Sequence, residues 1–64
     1  MRVDKKKLKI AMIMKDVSTN DLSQMCMLSR STIWRMMEHE ANPSTIKIVS
    51  MALDVPMESL LADE

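Results

Sequence analysis

Apolar residues along the 64-residue chain recur three and four positions apart, in blocks separated by Ser, Asp, Asn and Pro, and this spacing predicts helices and no strand. Over 5–15, Leu8, Ala11 and Met12, with the stem of Lys15, make one inward stripe, and Asp4 stands where an N-cap belongs. Ser18 followed by Asp21 forms a capping-box pattern ahead of a short helix over 19–25 that turns Leu22 inward, with Cys26 just after it. Ser29 caps a third helix over 29–38, where Leu28, Ile33 and Met36 face the core. Asn42-Pro43-Ser44 breaks the chain, Ser44 caps a fourth helix over 44–53 with Ile46, Val49, Ala52 and Leu53 inward, and Pro56 opens a fifth over 56–62 that buries Leu60 with Met57 or Leu61. No repeat or linker divides the chain. The expected fold is all-α, one compact five-helix bundle over residues 1–64.

The second and third helices are short and separated by a tight turn, the layout of a helix-turn-helix in which the second of the pair enters the major groove of DNA. At about 100° per residue, Ile33, Met36 and Met37 share one side of the third helix, while Arg30, Ser31, Trp34, Arg35 and Glu38 gather on the other. Arginine suits the O6 and N7 edge of guanine, and serine can donate to bases or phosphate. That outer stripe is the candidate reading surface.

Composition narrows the class. One cysteine, Cys26, forms no internal disulfide, and with His39 as the one histidine no cluster has zinc-ligand spacing. Ser29, Cys26 and His39 form no nucleophile–base arrangement, so neither a reaction nor a cofactor is expected. No apolar run reaches the roughly 20 residues of a membrane span, and no signal-peptide pattern opens the chain, so a cytoplasmic protein without a membrane partner is expected. Net charge is zero but unevenly spread: residues 1–53 carry nine basic against five acidic side chains, while 54–64 carry Asp54, Glu58, Asp63 and Glu64 and no base. A body of +4 supplies the phosphate-neutralising part of DNA binding. Lys5, Lys6 and Lys7 oppose the dipole of the helix they start, which points to a use outside it.

The run LSRSTIWRM, preceded by DLSQMC and followed by NPSTIKIVSMALDVPMESLL, resembles the helix-turn-helix domains of the phage Cro/repressor-type family, also called XRE-like or lambda-repressor-like. The likeness covers about residues 5–62 and rests on Leu22-Ser23, Leu28-Ser29, Ile33, Asn42-Pro43-Ser44, Ala52-Leu53, Val55 and Leu60-Leu61. It implies that Arg30, Ser31 and Arg35 touch bases and that Thr19 meets a phosphate at a helix N-terminus. Three positions depart from the family pattern. Met27 stands where relatives place a glycine with left-handed backbone, Met12 and Met37 stand where many pair an Arg with a Glu, and the segment at 43–45 is short.

The resemblance therefore implies a sequence-specific transcriptional regulator, a phage or mobile-element repressor or Cro-like protein binding a double-stranded operator, with any homodimer formed weakly or on the DNA. Arg30, Ser31 and Arg35 would read bases, and Thr19, Ser29, Trp34, Lys5, Lys6, Lys7 and Lys47 would hold the backbone. The nine methionines fit gap-filling, with Met12, Met25, Met36, Met37 and Met51 assigned to the core. Ile10, Ile13, Met14 and Trp34 fall partly outside the core stripes and support an alternative, an antirepressor or modulator whose domain binds a partner repressor protein. Trp34 fits three uses: its indole N–H on a phosphate, its ring in a protein pocket, or its ring laid across the third helix.

Overall fold

The computed structural model describes residues 1–62, so Asp63 and Glu64 of the acidic end lie outside the described residues. Its elements follow the hydrophobic blocks: α1 (Lys5–Met14), α2 (Thr19–Cys26), α3 (Arg30–Glu38) and α4 (Pro43–Leu53), then one 3-10 turn at Met57–Ser59. No described helix is long and apolar enough to cross a membrane. Among the described residues there is no strand beyond a single antiparallel bridge between Val3 and Leu61.

Each start is fixed by a side chain that takes up backbone N–H groups left over by the first turn. Asp4 Oδ1 accepts from the N–H of Lys6 at 2.9 Å and of Lys7 at 3.2 Å. The Ser18–Asp21 box closes reciprocally, Asp21 N–H donating to Ser18 Oγ at 3.1 Å and Ser18 N–H to Asp21 Oδ2 at 3.2 Å. Ser29 Oγ accepts from Thr32 N–H at 3.1 Å. The expected cap of α4 is displaced by two residues: Asn42 Oδ1 accepts from Ser44 N–H at 3.0 Å, and Pro43 is the first helical residue, where its missing N–H is not needed.

Three chain reversals use left-handed residues although the chain has no glycine. Asp16, Met27 and Asp54 sit at φ of 55°, 56° and 56°. Met27 ends α2, its N–H donating to Gln24 O at 3.3 Å while Leu28 N–H donates to Ser23 O at 3.0 Å. Two of the carbonyls left open at the end of α2 are thereby satisfied. Asp tolerates this backbone better than most residues, whereas methionine gains nothing local from it.

The expected fifth helix does not form. Pro56 is extended, the 3-10 turn lasts three residues, and the chain then pairs with the N-terminal segment: Asp4 N–H donates to Leu60 O at 2.8 Å and Ala62 N–H to Arg2 O at 3.0 Å. Backbone groups from 60 to 62 are drawn into that pairing and away from an i to i−4 ladder. On its other flank the N-terminal segment is held by Ala41 N–H, which donates to Met1 O at 2.7 Å. Residues 1–4 thus lie between the α3–α4 connection and the end of the chain, burying Val3 and Ala41, two core positions that helical periodicity does not mark.

The core joins Leu8, Ala11 and Met12 of α1, Leu22 and Cys26 of α2, Ile33 and Met36 of α3, Ile46, Val49 and Leu53 of α4, and Leu60. α2 packs on α3 and α4, and α1 on α3. The fully buried branched side chains stabilise the fold by roughly 1.5–3 kcal/mol each relative to an exposed state. Met25 and Met51, expected inside, are instead 50% and 70% exposed, and Lys15 is exposed as well. Met51 lies on the side of α4 opposite Ile46, Val49 and Leu53, so the stripe itself excludes it. Met37, Leu28 and Ala52 are half-buried against the core.

Candidate nucleic-acid interface

α3 divides into two faces. Ile33 and Met36 anchor it inward, leaving Arg30, Ser31, Trp34 and Arg35 exposed along one arc. Because α2 packs directly on α3, the first residue of α2 is brought beside that arc. Thr19, Arg30, Ser31, Trp34 and Arg35 line one open groove of about 560 Å³. Four residues of the outer stripe thus share one groove with Thr19, while Glu38, the fifth residue of that stripe, is not among its lining and pairs with Lys5 instead. No acidic side chain is among those lining it.

Neither guanidinium is engaged by a carboxylate or a hydrogen bond among the described residues, so Arg30 and Arg35 keep their donor forks for an external acceptor. Arg35 also borders a neighbouring depression formed by Thr32, Glu40, Ala41, Asn42 and Thr45 at the start of α4. Trp34 is 58% exposed and meets His39 edge-on, ring centroids 5.9 Å apart at 71°. That contact steadies the indole without covering it.

The rest of the expected backbone-binding set is dispersed. Lys5 is held by Glu38 at 2.6 Å, a pair that ties the start of α1 to the end of α3. The hydrogen bond from Lys5, then its charge, holds the Glu38 carboxyl below the usual carboxylate range. An α1–α3 ion pair therefore exists, although Met12 and Met37 occupy the positions where the resemblance placed one. Lys7 is half-buried and donates through Nζ to Leu61 O at 3.2 Å. Ser29 spends its hydroxyl on the α3 cap and on Thr32 Oγ1 at 2.9 Å. Lys6 and Lys47 are exposed on α1 and α4.

Of the alternative contact residues, Ile10, Ile13 and Met14 stand at i, i+3 and i+4 of α1 and share one exposed face, while Trp34 lies apart from them in the α3 groove. Cys26 is buried in the core, and that desolvation pushes its thiol up from the ordinary value. Ser50, a polar core residue that the apolar pattern passes over, is satisfied by donating through Oγ to Lys47 O at 2.8 Å. No group of three or more His, Cys, Asp or Glu among the described residues could hold a metal ion.

No protein-family model matches the chain, and no curated protein matches it. Among solved structures, one of a point mutant of hydroxyethylphosphonate dioxygenase is similar, with a TM-score of 0.84 and 24% identity. The similarity covers 98% of this chain and 14% of that one, so this chain corresponds to a small part of the enzyme's length. At that identity the likeness speaks for the fold: this arrangement of short helices also occurs inside a much larger protein.

Proposed function

We propose that the chain is a sequence-specific DNA-binding regulator, acting by binding and not by catalysis, in which α2 and α3 work as a helix-turn-helix and α3 lies in the major groove. The supporting observation is the shared groove of Thr19, Arg30, Ser31, Trp34 and Arg35, with two arginines that no carboxylate engages among the described residues. In this reading Arg30, Ser31 and Arg35 address base edges, Thr19 at the start of α2 addresses a phosphate, and Trp34 donates its indole N–H to the backbone. Lys6 and Lys47 add long-range attraction, while Lys5, Lys7 and Ser29 serve the fold. The operator, a cytoplasmic setting and dimerisation on DNA belong to the same proposal.

Selection from a randomised duplex pool tests it. The parent protein should enrich one short motif, and Arg30→Ala and Arg35→Ala should each weaken binding by roughly 1–3 kcal/mol and relax preference at one base position. Failure to enrich any motif would overturn the reading.

A second reading is favoured by one observation, the 58% exposure of Trp34. The same α3 face would then dock on a partner repressor, with the indole as the anchor. Trp34→Ala would remove a contact worth roughly 2 kcal/mol or more from such an interface. In the DNA reading it removes one positioning contact and leaves motif preference intact.

A further inference from the structure

The face that α1 turns away from the core carries Ile10, Ile13 and Met14, which are 57%, 76% and 80% exposed. The inward stripe of α1 is complete without them, since Leu8, Ala11 and Met12 fill it. Three large apolar side chains adjoining one another on a ten-residue helix mark a contact surface more than scattered exposure does.

Charge varies along this face from one end to the other. Lys6, four residues before Ile10, stands at its N-terminal end and is exposed. The other lysines of α1 are directed elsewhere: Lys5 is held by Glu38, Lys7 donates to Leu61 O, and Lys9 lies toward Glu38. At the C-terminal end Asp16 is exposed and lines a depression with Ile13, while Asp54 lies 4.0 Å from Lys15. Because Lys15 and Asp54 offset one another, Asp16 leaves that end negative, and the helix dipole acts in the same direction. The face is thus positive at its start, apolar in its middle and negative at its end.

We propose that this face is a self-association surface, pairing two copies of the chain with their α1 helices antiparallel about a two-fold axis, Ile10 of one copy against Met14 of the other and Lys6 of each meeting Asp16 of the other. The face is its own complement under that rotation, which is what an isologous contact requires of a surface. With the axis level with residue 12, a rise of 1.5 Å per residue brings Lys6 of one copy within about 3 Å, along the helix, of Asp16 of the other. A parallel pair would instead set Lys6 against Lys6 and Asp16 against Asp16. Antiparallel pairing also gives Lys6, which opposes the dipole at the start of its own helix, the favourable C-terminal end of its neighbour's. A contact confined to one face of so short a helix falls well short of the roughly 1,200 Å² of a stable complex, so the pairing is weak, with a Kd of about 0.1–1 mM. None of its residues lines the α3 groove, which is left open.

Sedimentation equilibrium of the full chain at low salt, with amide correlation spectra recorded on dilution of the isotope-labelled protein, tests the proposal. The parent should self-associate in that concentration range with shifts centred on Ile10, Ile13, Met14 and Asp16. Ile10→Ser with Ile13→Ser should remove both effects while thermal unfolding stays cooperative. Lys6→Glu and Asp16→Lys should each weaken association by about fivefold or more, since each sets like charges together at both ends of the pair. An equimolar mixture of those two variants should recover the association of the parent, because both end contacts of the mixed pair again join opposite charges, and a variant that failed to fold could not show this recovery. A mixture no tighter than its components would overturn the proposal, as would association that survives the Ile10 and Ile13 changes or shifts centred on residues 30–35. So would a chain that stays monomeric up to about 1 mM, including one that binds phosphatidylglycerol vesicles or a different protein through the same face.

Discussion

Replacing Met27 by glycine isolates the energetics of the turn between α2 and α3. Met27 holds φ 56° and ψ 37° with 92% of its surface exposed, so its side chain contributes almost no burial to weigh against backbone strain. The left-handed conformation costs a residue bearing a Cβ roughly 1–2 kcal/mol, which glycine avoids. Glycine also widens the unfolded ensemble, an effect of about 0.4–1 kcal/mol in the opposite direction. The two leave Met27→Gly between neutral and about 1.5 kcal/mol more stable. For a domain of this size, 1 kcal/mol corresponds to roughly 4–8 °C in melting temperature. Met27→Val supplies the opposing control: a β-branched residue is the least suited to positive φ and should destabilise. Urea unfolding of all three proteins, read as midpoint shifts at constant slope, gives the order Gly, Met, Val from most to least stable. A glycine variant less stable than the parent by more than about 1 kcal/mol, or a valine variant equal to it, would refute the reasoning.

The Lys5–Glu38 pair predicts a pH signature. Because the Glu38 carboxyl is held below its ordinary value in the folded state, its contribution is present above the unfolded value and is lost as pH falls through the folded one. Lys5→Ala should therefore lower stability near neutrality, with the gap to the parent closing in acid; a gap independent of pH across the carboxylate range would contradict it. Leu60 is fully buried where the two ends of the chain pair, so Leu60→Ala should destabilise by about 2–5 kcal/mol in chemical unfolding. A change below about 1 kcal/mol would mean that the end of the chain is peripheral to the core.

What the sequence discloses about this fold is what local rules govern. Asp4, Ser18 with Asp21, and Ser29 act as caps because capping is decided within four residues, and Leu8, Leu22, Ile33, Ile46 and Leu53 fall inside because the helical period places them there. The resemblance singles out Met27 as standing in for a glycine but leaves open a strained or a reshaped turn; the structure holds Met27 left-handed at φ 56°. What escaped depends on non-local pairing. Residues 60–62 read as helix from Pro56 and their apolar spacing, yet residues 2–4, far away in sequence, take their hydrogen bonds. Val3 and Ala41 are buried by that same closure and carry no periodic signal. Met25 and Met51 show the limit of composition, since an apolar side chain that the helical period turns away from the core is exposed despite its hydrophobicity.

The candidate site divides in the same way. Arg30, Ser31, Trp34 and Arg35 lie on one helix, so their common face followed from spacing alone, and Thr19 joined them once α2 packed on α3. The lysines of α1 did not follow, because Glu38 and the Leu61 carbonyl that engage Lys5 and Lys7 come from distant segments. Ile10, Ile13, Met14 and Trp34, grouped in sequence by their poor fit to the core, divide between an exposed face of α1 and the α3 groove.

The most direct test of α3 as a DNA-reading helix is the salt dependence of binding to a selected duplex, measured by fluorescence anisotropy for the parent and for Arg30→Ala with Arg35→Ala. With two to four phosphates neutralised, the log–log slope of the binding constant against salt should lie between about −1.8 and −3.6, at about −0.9 per contact. The double variant should lose sequence preference while keeping its unfolding midpoint. Affinity that is flat with salt, or a double variant that binds the selected duplex as tightly as the parent, would contradict the account.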